Sequence, residues 1–385
     1  MQNINSVYEF LFPLNLIIDL VNGLFLSALI LFICKKNNIS NGLTVILFFS
    51  CFTPFLFNGF LLDWTIFPDQ PKYIRRVAEM RNFEFIEKNF DPTNLKMVFT
   101  KGIYMIFPIP FIEGFKSIGF ANRFSLLILI IFLVKKNFDK YFILTLIFLP
   151  SIILYSSVSL RDSLIIVVSI LFFHNFFEKN YLTSFLFLFL LFFIKIQNAV
   201  FFLLVILSYN LIFKSKLFSK SDKKRLSVKP IKKKLSSLFL LALLFILMIK
   251  SNDILELYNT RRYGMYHEAY GNGIDFIHLN LKNLIFVGTS SLFQFFISPI
   301  KSFNGMMGIL LIIDTIILYL VTYYFFKKTY FKNKRLTYFW FLALIGISFI
   351  YGLAIFNDGT IHRYKVVYII PLIFALLKSS KIKNV

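Results

Sequence analysis

An ionisable side chain inside or at the end of a membrane-depth apolar run costs about 2.5–3.5 kcal/mol at mid-membrane, so each one marks a place to look for chemistry. Five short clusters of such residues punctuate this chain. The first is Phe67-Pro68-Asp69-Gln70-Pro71-Lys72-Tyr73, continuing into Ile74-Arg75-Arg76. Two prolines fix the backbone ahead of a helix, which puts Asp69 at a helix N-terminus, where exposed N–H groups favour a carboxylate. A simple helix cap accounts for Asp69 as well as a functional carboxylate does. The second cluster is Ser159-Leu160-Arg161-Asp162, between two short apolar runs. A tight turn with a local Arg–Asp pair would explain it, but the planar fork of Arg161 also suits a phosphate or pyrophosphate bidentately. The third is Lys195-Ile196-Gln197-Asn198, where a snorkelling lysine is the simpler reading. The fourth is the loop Tyr258–Tyr270, with Arg261, Arg262, His267 and Glu268, whose rings suit a sugar face. The fifth is Asn357–Tyr364, where His362 and Arg363 precede the last apolar run and Tyr364 suits an interfacial belt. Asp19 and Asp314 are lone carboxylates within apolar runs, expected to hydrogen-bond between helices.

Other familiar chemistry is missing from the sequence. It holds no G-x-x-x-x-G-K-[ST] loop, no G-x-G-x-x-G and no H-E-x-x-H. Four His and two Cys are scattered, which argues against a closed zinc site. Cys34 and Cys51 read as small buried hydrophobes. No metal ligands are nominated, and a divalent cation is left open.

The elements that must position these clusters are apolar helices. Of the 385 residues, 58% are hydrophobic and only 16% charged, against about 25% in soluble domains. That excludes a soluble fold and a disordered chain. The expected fold class is all-α: a polytopic integral membrane protein forming a single domain over residues 1–385. Eleven runs have the composition of spans: Phe10–Cys34, Gly42–Leu62, Phe120–Val134, Tyr141–Val158, Ser163–Phe177, Tyr181–Ile194, Ala199–Phe213, Leu235–Met248, Met306–Phe326, Leu336–Phe356 and Tyr364–Leu377. Gly102–Ile112 and Leu284–Ile300 are read as interfacial or re-entrant helices.

The net charge of +23 would point to nucleic acid in a soluble protein; here Lys and Arg are expected to gather in cytoplasmic loops. Residues 214–234 carry ten Lys/Arg and one acid, and residues 327–335 carry five and none. This places the N-terminus outside and the C-terminus in the cytoplasm. The basic loop 214–234 is expected to contact lipid head groups. The near-neutral loops 63–101 and 250–282 then lie outside, and loops of that length are commonly functional. Within the first, Tyr73–Glu87 alternates apolar and charged residues like a helix lying on the membrane surface.

The order of these features resembles the EpsG-type exopolysaccharide polymerases, related to the Wzy-like O-antigen polymerases of the GT-C glycosyltransferase superclass. The resemblance rests on D-x-x-x-Y at Asp69–Tyr73, on the span entry Leu160-Arg161-Asp162-Ser163-Leu164, on Phe296–Pro299, and on Arg363-Tyr364 followed by Pro371. It departs from the family at Pro68, where glycine is usual, at Asp162, where glutamine is frequent, and at Lys195–Ala199, which lacks the family histidine. It implies a GT-C-like fold in the bacterial cytoplasmic membrane. It also implies glycosyl transfer on the outer face, from a polyprenyl-(pyro)phosphate-linked donor to a saccharide acceptor, alongside other polysaccharide-assembly proteins. Under that resemblance Asp69 is the catalytic base. Arg161 and Arg363 hold the lipid phosphate with His362 and Arg76 behind them, and Tyr73 and Asp162 complete the substrate-binding set. A single-sugar transferase, a lipid-linked oligosaccharide flippase and a non-catalytic scaffold are the alternatives; the absence of an internal repeat and the one-sided charge clusters count against the flippase.

Overall fold

The computed structural model describes residues 2–58, 61, 69–81, 95–112, 114, 116–214, 255–256, 259–260, 262–264, 266, 276–280, 282–298, 305–355 and 358–382. The run Leu235–Met248, nearly all of the basic loop 214–234 and residues 82–94 lie outside them. Helices are the only extended regular elements among the described residues, and there is no strand. In order they are α1 (Gln2–Lys36), α2 (Asn41–Ser50), α3 (Thr53–Phe57), α4 (Gln70–Arg81), α5 (Leu95–Met105), α6 (Ser117–Lys135), α7 (Lys140–Phe148), α8 (Pro150–Ser157), α9 (Asp162–Phe177), α10 (Tyr181–Ile194), α11 (Ile196–Tyr209), α12 (Leu284–Ile297), α13 (Gly305–Tyr330), α14 (Lys334–Ala354) and α15 (Asp358–Ser380).

Among the described residues six helices are long and apolar enough to cross a membrane, seven if the bent pair α7–α8 forms one span. The chain is therefore that of a membrane-embedded protein. Its exposed surface agrees: Leu16, Phe32, Leu182, Phe185, Leu320 and Tyr323 all stand more than half exposed, more apolar surface than water tolerates. The number is smaller than the eleven apolar runs, and proline explains part of the difference. The run Gly42–Leu62 divides into α2 and α3 because Pro54, near the start of α3, brings no N–H to continue the ladder. Pro150 splits Tyr141–Val158 in the same way, with a 55° bend between α7 and α8. The runs Ser163–Phe177 and Tyr181–Ile194 form α9 and α10, of 16 and 14 residues, shorter than a full crossing needs. Only the first part of Gly102–Ile112 is helical; the ladder stops at Met105, ahead of Pro108 and Pro110. Leu284–Ile300 gives α12, which ends before Pro299.

The described residues cluster into two compact units, Met1–Ala199 with Val366–Ala375, and Val200–Lys365 with Leu376–Val385. In the first, α6 is the hub, packing against α1, α3, α4, α7, α8 and α9. Its approach to α8 depends on Gly119: a methyl group there would come 2.2 Å from the carbonyl oxygen of Ser157. Helix α9 turns back into α10 through residues 178–180, with Lys179 in the left-handed region at φ 64°. In the second unit, α14 packs against both α12 and α13, and α12 rests closely on Gly352. Trp340 is fully buried there, its indole N–H donating to Ser379 Oγ at 3.0 Å.

Candidate functional site

The turn between α8 and α9 leaves backbone groups at Val158–Arg161 outside any helix, and a buried backbone group must find a partner. Side chains from three other helices supply them. From α6, Asn122 donates through Nδ2 to the Val158 carbonyl at 2.9 Å and also to the Leu160 carbonyl. From α5, Tyr104 lies 2.6 Å from Asn122 Oδ1 and 3.1 Å from the Leu160 carbonyl. From the first residue of α4, Gln70 Oε1 accepts from the Ser159 N–H at 2.7 Å and from Asn58 Nδ2 at 2.8 Å. Gln70 Nε2 returns a bond to Asn58 Oδ1 at 3.2 Å. Gln70, Asn58, Asn122, Tyr104 and Ser159 are all buried.

This lattice ties two of the sequence clusters together. Asp69 and Arg161 flank, within two residues, the directly bonded pair Gln70–Ser159. Asp69 is exposed at the N-terminal end of α4, and its carbonyl accepts from the Tyr73 N–H at 3.3 Å. Tyr73 faces inward and is almost fully buried, with the Lys101 ammonium 5.8 Å from its ring centre. Arg161 is partly exposed, and its Nη1 donates to the Ile194 carbonyl at the end of α10 at 2.9 Å. Asp162 opens α9 and is completely buried, at the end of the helix where the dipole favours a carboxylate. Burial pushes the Tyr104 phenol well above its usual range; the neighbouring Tyr73 phenol and Asp162 carboxylate add to this and the Arg161 guanidinium opposes it. Arg76 lies on α4, and its side chain is outside what the structure describes.

Arg81, at the other end of α4, fixes that helix in place. Its Nε, Nη1 and Nη2 donate to the carbonyls of Met105, Ile109 and Phe107 at 3.1, 2.7 and 2.7 Å. These are the carbonyls released where the helix stops ahead of Pro108 and Pro110. Asp69 thus sits on an amphipathic helix anchored at both ends.

His362 and Arg363 belong to the second unit. His362 is fully buried, and its Nε2 meets Asp314 Oδ2 at 2.7 Å. Asp314 therefore does have the interhelical partner expected of it. Asp19 instead forms an ion pair with Lys116, the residue just ahead of α6, at 3.7 Å. Arg363 is partly exposed, with its guanidinium 5.9 Å from the Tyr364 ring centre, and Tyr364 stacks on Tyr351. Lys195, expected to snorkel, is buried at the end of α10. Arg261, His267 and Glu268 lie outside the described residues.

Sequence reasoning passed over Gln70, Asn122, Tyr104, Arg81 and Lys365. It also missed Arg123, buried inside α6 with bonds to the Ser50 carbonyl and Ser156 Oγ at 3.1 and 2.9 Å. An arginine within the run Phe120–Val134 was the available signal. The described residues hold no group of three His, Cys, Asp or Glu able to ligate a metal. No protein-family model, curated protein or solved structure matches this chain.

Proposed function

We propose that the chain is a membrane glycosyltransferase that uses a polyprenyl-(pyro)phosphate-linked sugar donor and extends a saccharide acceptor, most specifically as a polymerase of repeat units. The observation that carries this reading is the hydrogen bond from the Ser159 N–H to Gln70 Oε1. It joins, across 89 residues, two of the four segments on which the family resemblance rests. A carboxylate and a guanidinium are thereby held near one buried polar lattice.

Glycosyl transfer needs both groups. The bond from the sugar C1 to the donor phosphate breaks through an oxocarbenium-like state while a bond from C1 to the acceptor oxygen forms. Asp69 takes the acceptor hydroxyl proton, a task that suits an exposed carboxylate on a rigid helix end. Arg161 meets the departing phosphate as its charge grows. Tyr73 and α4 border the entry of the lipid chain. His362, Arg363, Arg76 and Asp162 belong to the same reading through the resemblance. So do the eleven-span GT-C-like arrangement, the outside N-terminus and the cytoplasmic C-terminus.

The test is the lipid-linked glycan profile of cells carrying Asp69→Asn. Loss of a general base lowers the rate about 10²–10⁴-fold. Long chains should disappear while single lipid-linked repeat units accumulate. A normal polymer ladder from that variant would remove Asp69 from the chemistry.

A further inference from the structure

In the second unit a cavity of about 570 Å³ opens between the helical pieces at 255–266 and the extended segment 276–280. That volume falls in the usual range for small-molecule sites, about 300–1,000 Å³. Its walls are sutured to each other. Asn259 donates through Nδ2 to the Leu279 carbonyl at 2.9 Å and accepts the Leu279 N–H on Oδ1 at 2.8 Å. Arg262 donates to the Leu353 and Ile277 carbonyls at 2.6 and 2.9 Å, fastening both walls to the end of α14. The cavity is therefore built in the folded chain and does not depend on a ligand to shape it.

The lining has a distinct chemistry. Tyr263 stands 49% exposed at the cavity, so one aromatic surface is open to a ligand. Phe276 holds it in place: the Tyr263 and His278 rings both meet Phe276 edge-on, at 5.5 and 5.0 Å between centres. Around these rings stand Glu256, Thr260, whose hydroxyl donates to the Glu256 carbonyl at 3.0 Å, and Asn280, whose Oδ1 accepts from the Lys282 and Asn283 N–H groups and leaves its amide N–H groups to donate. Among the described lining residues there is no Lys or Arg; Arg262 turns its guanidinium onto the Phe276 ring, 5.1 Å from its centre. An anionic ligand would meet the Glu256 carboxylate, and an acyl chain would strand these polar groups against hydrocarbon. A neutral polyhydroxylated ring satisfies both: its C–H face lies on an aromatic side chain and its hydroxyls reach carboxylate, hydroxyl and amide.

We propose that this cavity is a saccharide-binding site, with Tyr263 as the platform and Glu256 and Asn280 as hydroxyl partners. As the seat of the acceptor chain it rests on the glycosyl-transfer reading; as a saccharide site it stands on its lining alone.

The experiment is saturation-transfer NMR on the full chain in lipid nanodiscs. The probes are cellotetraose, chitotetraose and the neutral fragments released by mild acid from the envelope polysaccharide of the expressing cells. At least one probe should receive saturation at its ring C–H protons. Tyr263→Ala should weaken that binding at least fivefold, while Tyr263→Phe, which keeps the ring, retains it. Tyr263 is exposed enough that neither substitution disturbs a core, and a monodisperse elution profile checks this. No saturation of any probe, or equal binding by Tyr263→Ala, overturns the site. Tyr263-dependent binding in a protein whose gene deletion leaves the cellular glycan profile unchanged keeps the site and sinks glycosyl transfer. An Asp69-dependent profile without probe binding does the reverse.

Discussion

Gly119 gives the sharpest test of how the first unit is packed. Replacing it with alanine adds one methyl group to the most connected helix. The nearest atom, the Ser157 carbonyl oxygen, would lie 2.2 Å away and the Ser157 carbonyl carbon 3.0 Å away. Both belong to the backbone, so no side chain can rotate aside; α6 and α8 must part by about 1 Å to reach ordinary contact. Overpacking of this kind costs about 1–3 kcal/mol, and the upper end applies where backbone must move. Alanine in place of glycine within a helix recovers about 1 kcal/mol. The expected net loss is about 2 kcal/mol, roughly a 30-fold shift in the unfolding equilibrium. Gly346, inside α14, supplies the control: a methyl group there meets nothing within 4 Å, so Gly346→Ala should stabilise by up to about 1 kcal/mol. Unfolding by SDS titration in mixed micelles reads both variants on one scale. Movement of α8 also disturbs the turn bearing Arg161, so Gly119→Ala should lower product formation as well. Equal stability of the two alanine variants would refute the close α6–α8 approach.

Two further substitutions probe the buried polar groups by the same unfolding assay. His362→Leu leaves Asp314 buried without its 2.7 Å partner and should cost about 3–5 kcal/mol, whereas His362→Leu with Asp314→Leu should recover most of that loss; an equally destabilised double variant would contradict the pairing. Gln70→Leu takes away the acceptor of the Ser159 N–H and both amide bonds to Asn58, so a loss of about 2 kcal/mol is expected, with a fall in polymer yield though Asp69 itself is untouched.

What the sequence discloses depends on which physical signal each residue emits. Apolar composition announces membrane helices, and the basic ends of α1 and α13, Lys35-Lys36 and Lys327-Lys328, fall where the charge pattern marks boundaries. Proline was in plain view as well, yet a count of apolar residues measures composition and not the hydrogen-bond ladder. The runs holding Pro54 and Pro150 therefore looked continuous and are broken. Helix α4 begins at Gln70, three residues before the amphipathic stretch that starts at Tyr73, because Pro71 favours the first turn of a helix. The clusters around Asp69 and Arg161 were visible through their charges. The groups linking them were not, because Gln70, Asn122 and Tyr104 are neutral, and a search for charge passes over them. Their importance comes from burial beside non-helical backbone, which only the fold reveals.

Both units handle interrupted helices by the same physical means, with different chemistry. In the first, the carbonyls of Val158 and Leu160 are served by the neutral donors Asn122 and Tyr104. In the second, α12 stops ahead of Pro299; Tyr319 donates to the Phe296 carbonyl at 2.7 Å, and the fully buried Lys365 donates to the carbonyls of Phe296 and Ser298. A cation at a helix C-terminus faces the negative end of the dipole, and the Lys365 ammonium also lies 5.6 and 5.4 Å from the ring centres of Phe295 and Tyr319. Irregular backbone at membrane depth persists only where protein satisfies it. A continuous helix would need none of these side chains. The interruption beside Arg161 therefore carries a conformational cost met by three buried polar residues, Asn122, Tyr104 and Gln70, and what it achieves is to bring an arginine, partly exposed, to the start of α9 next to the helix that bears Asp69.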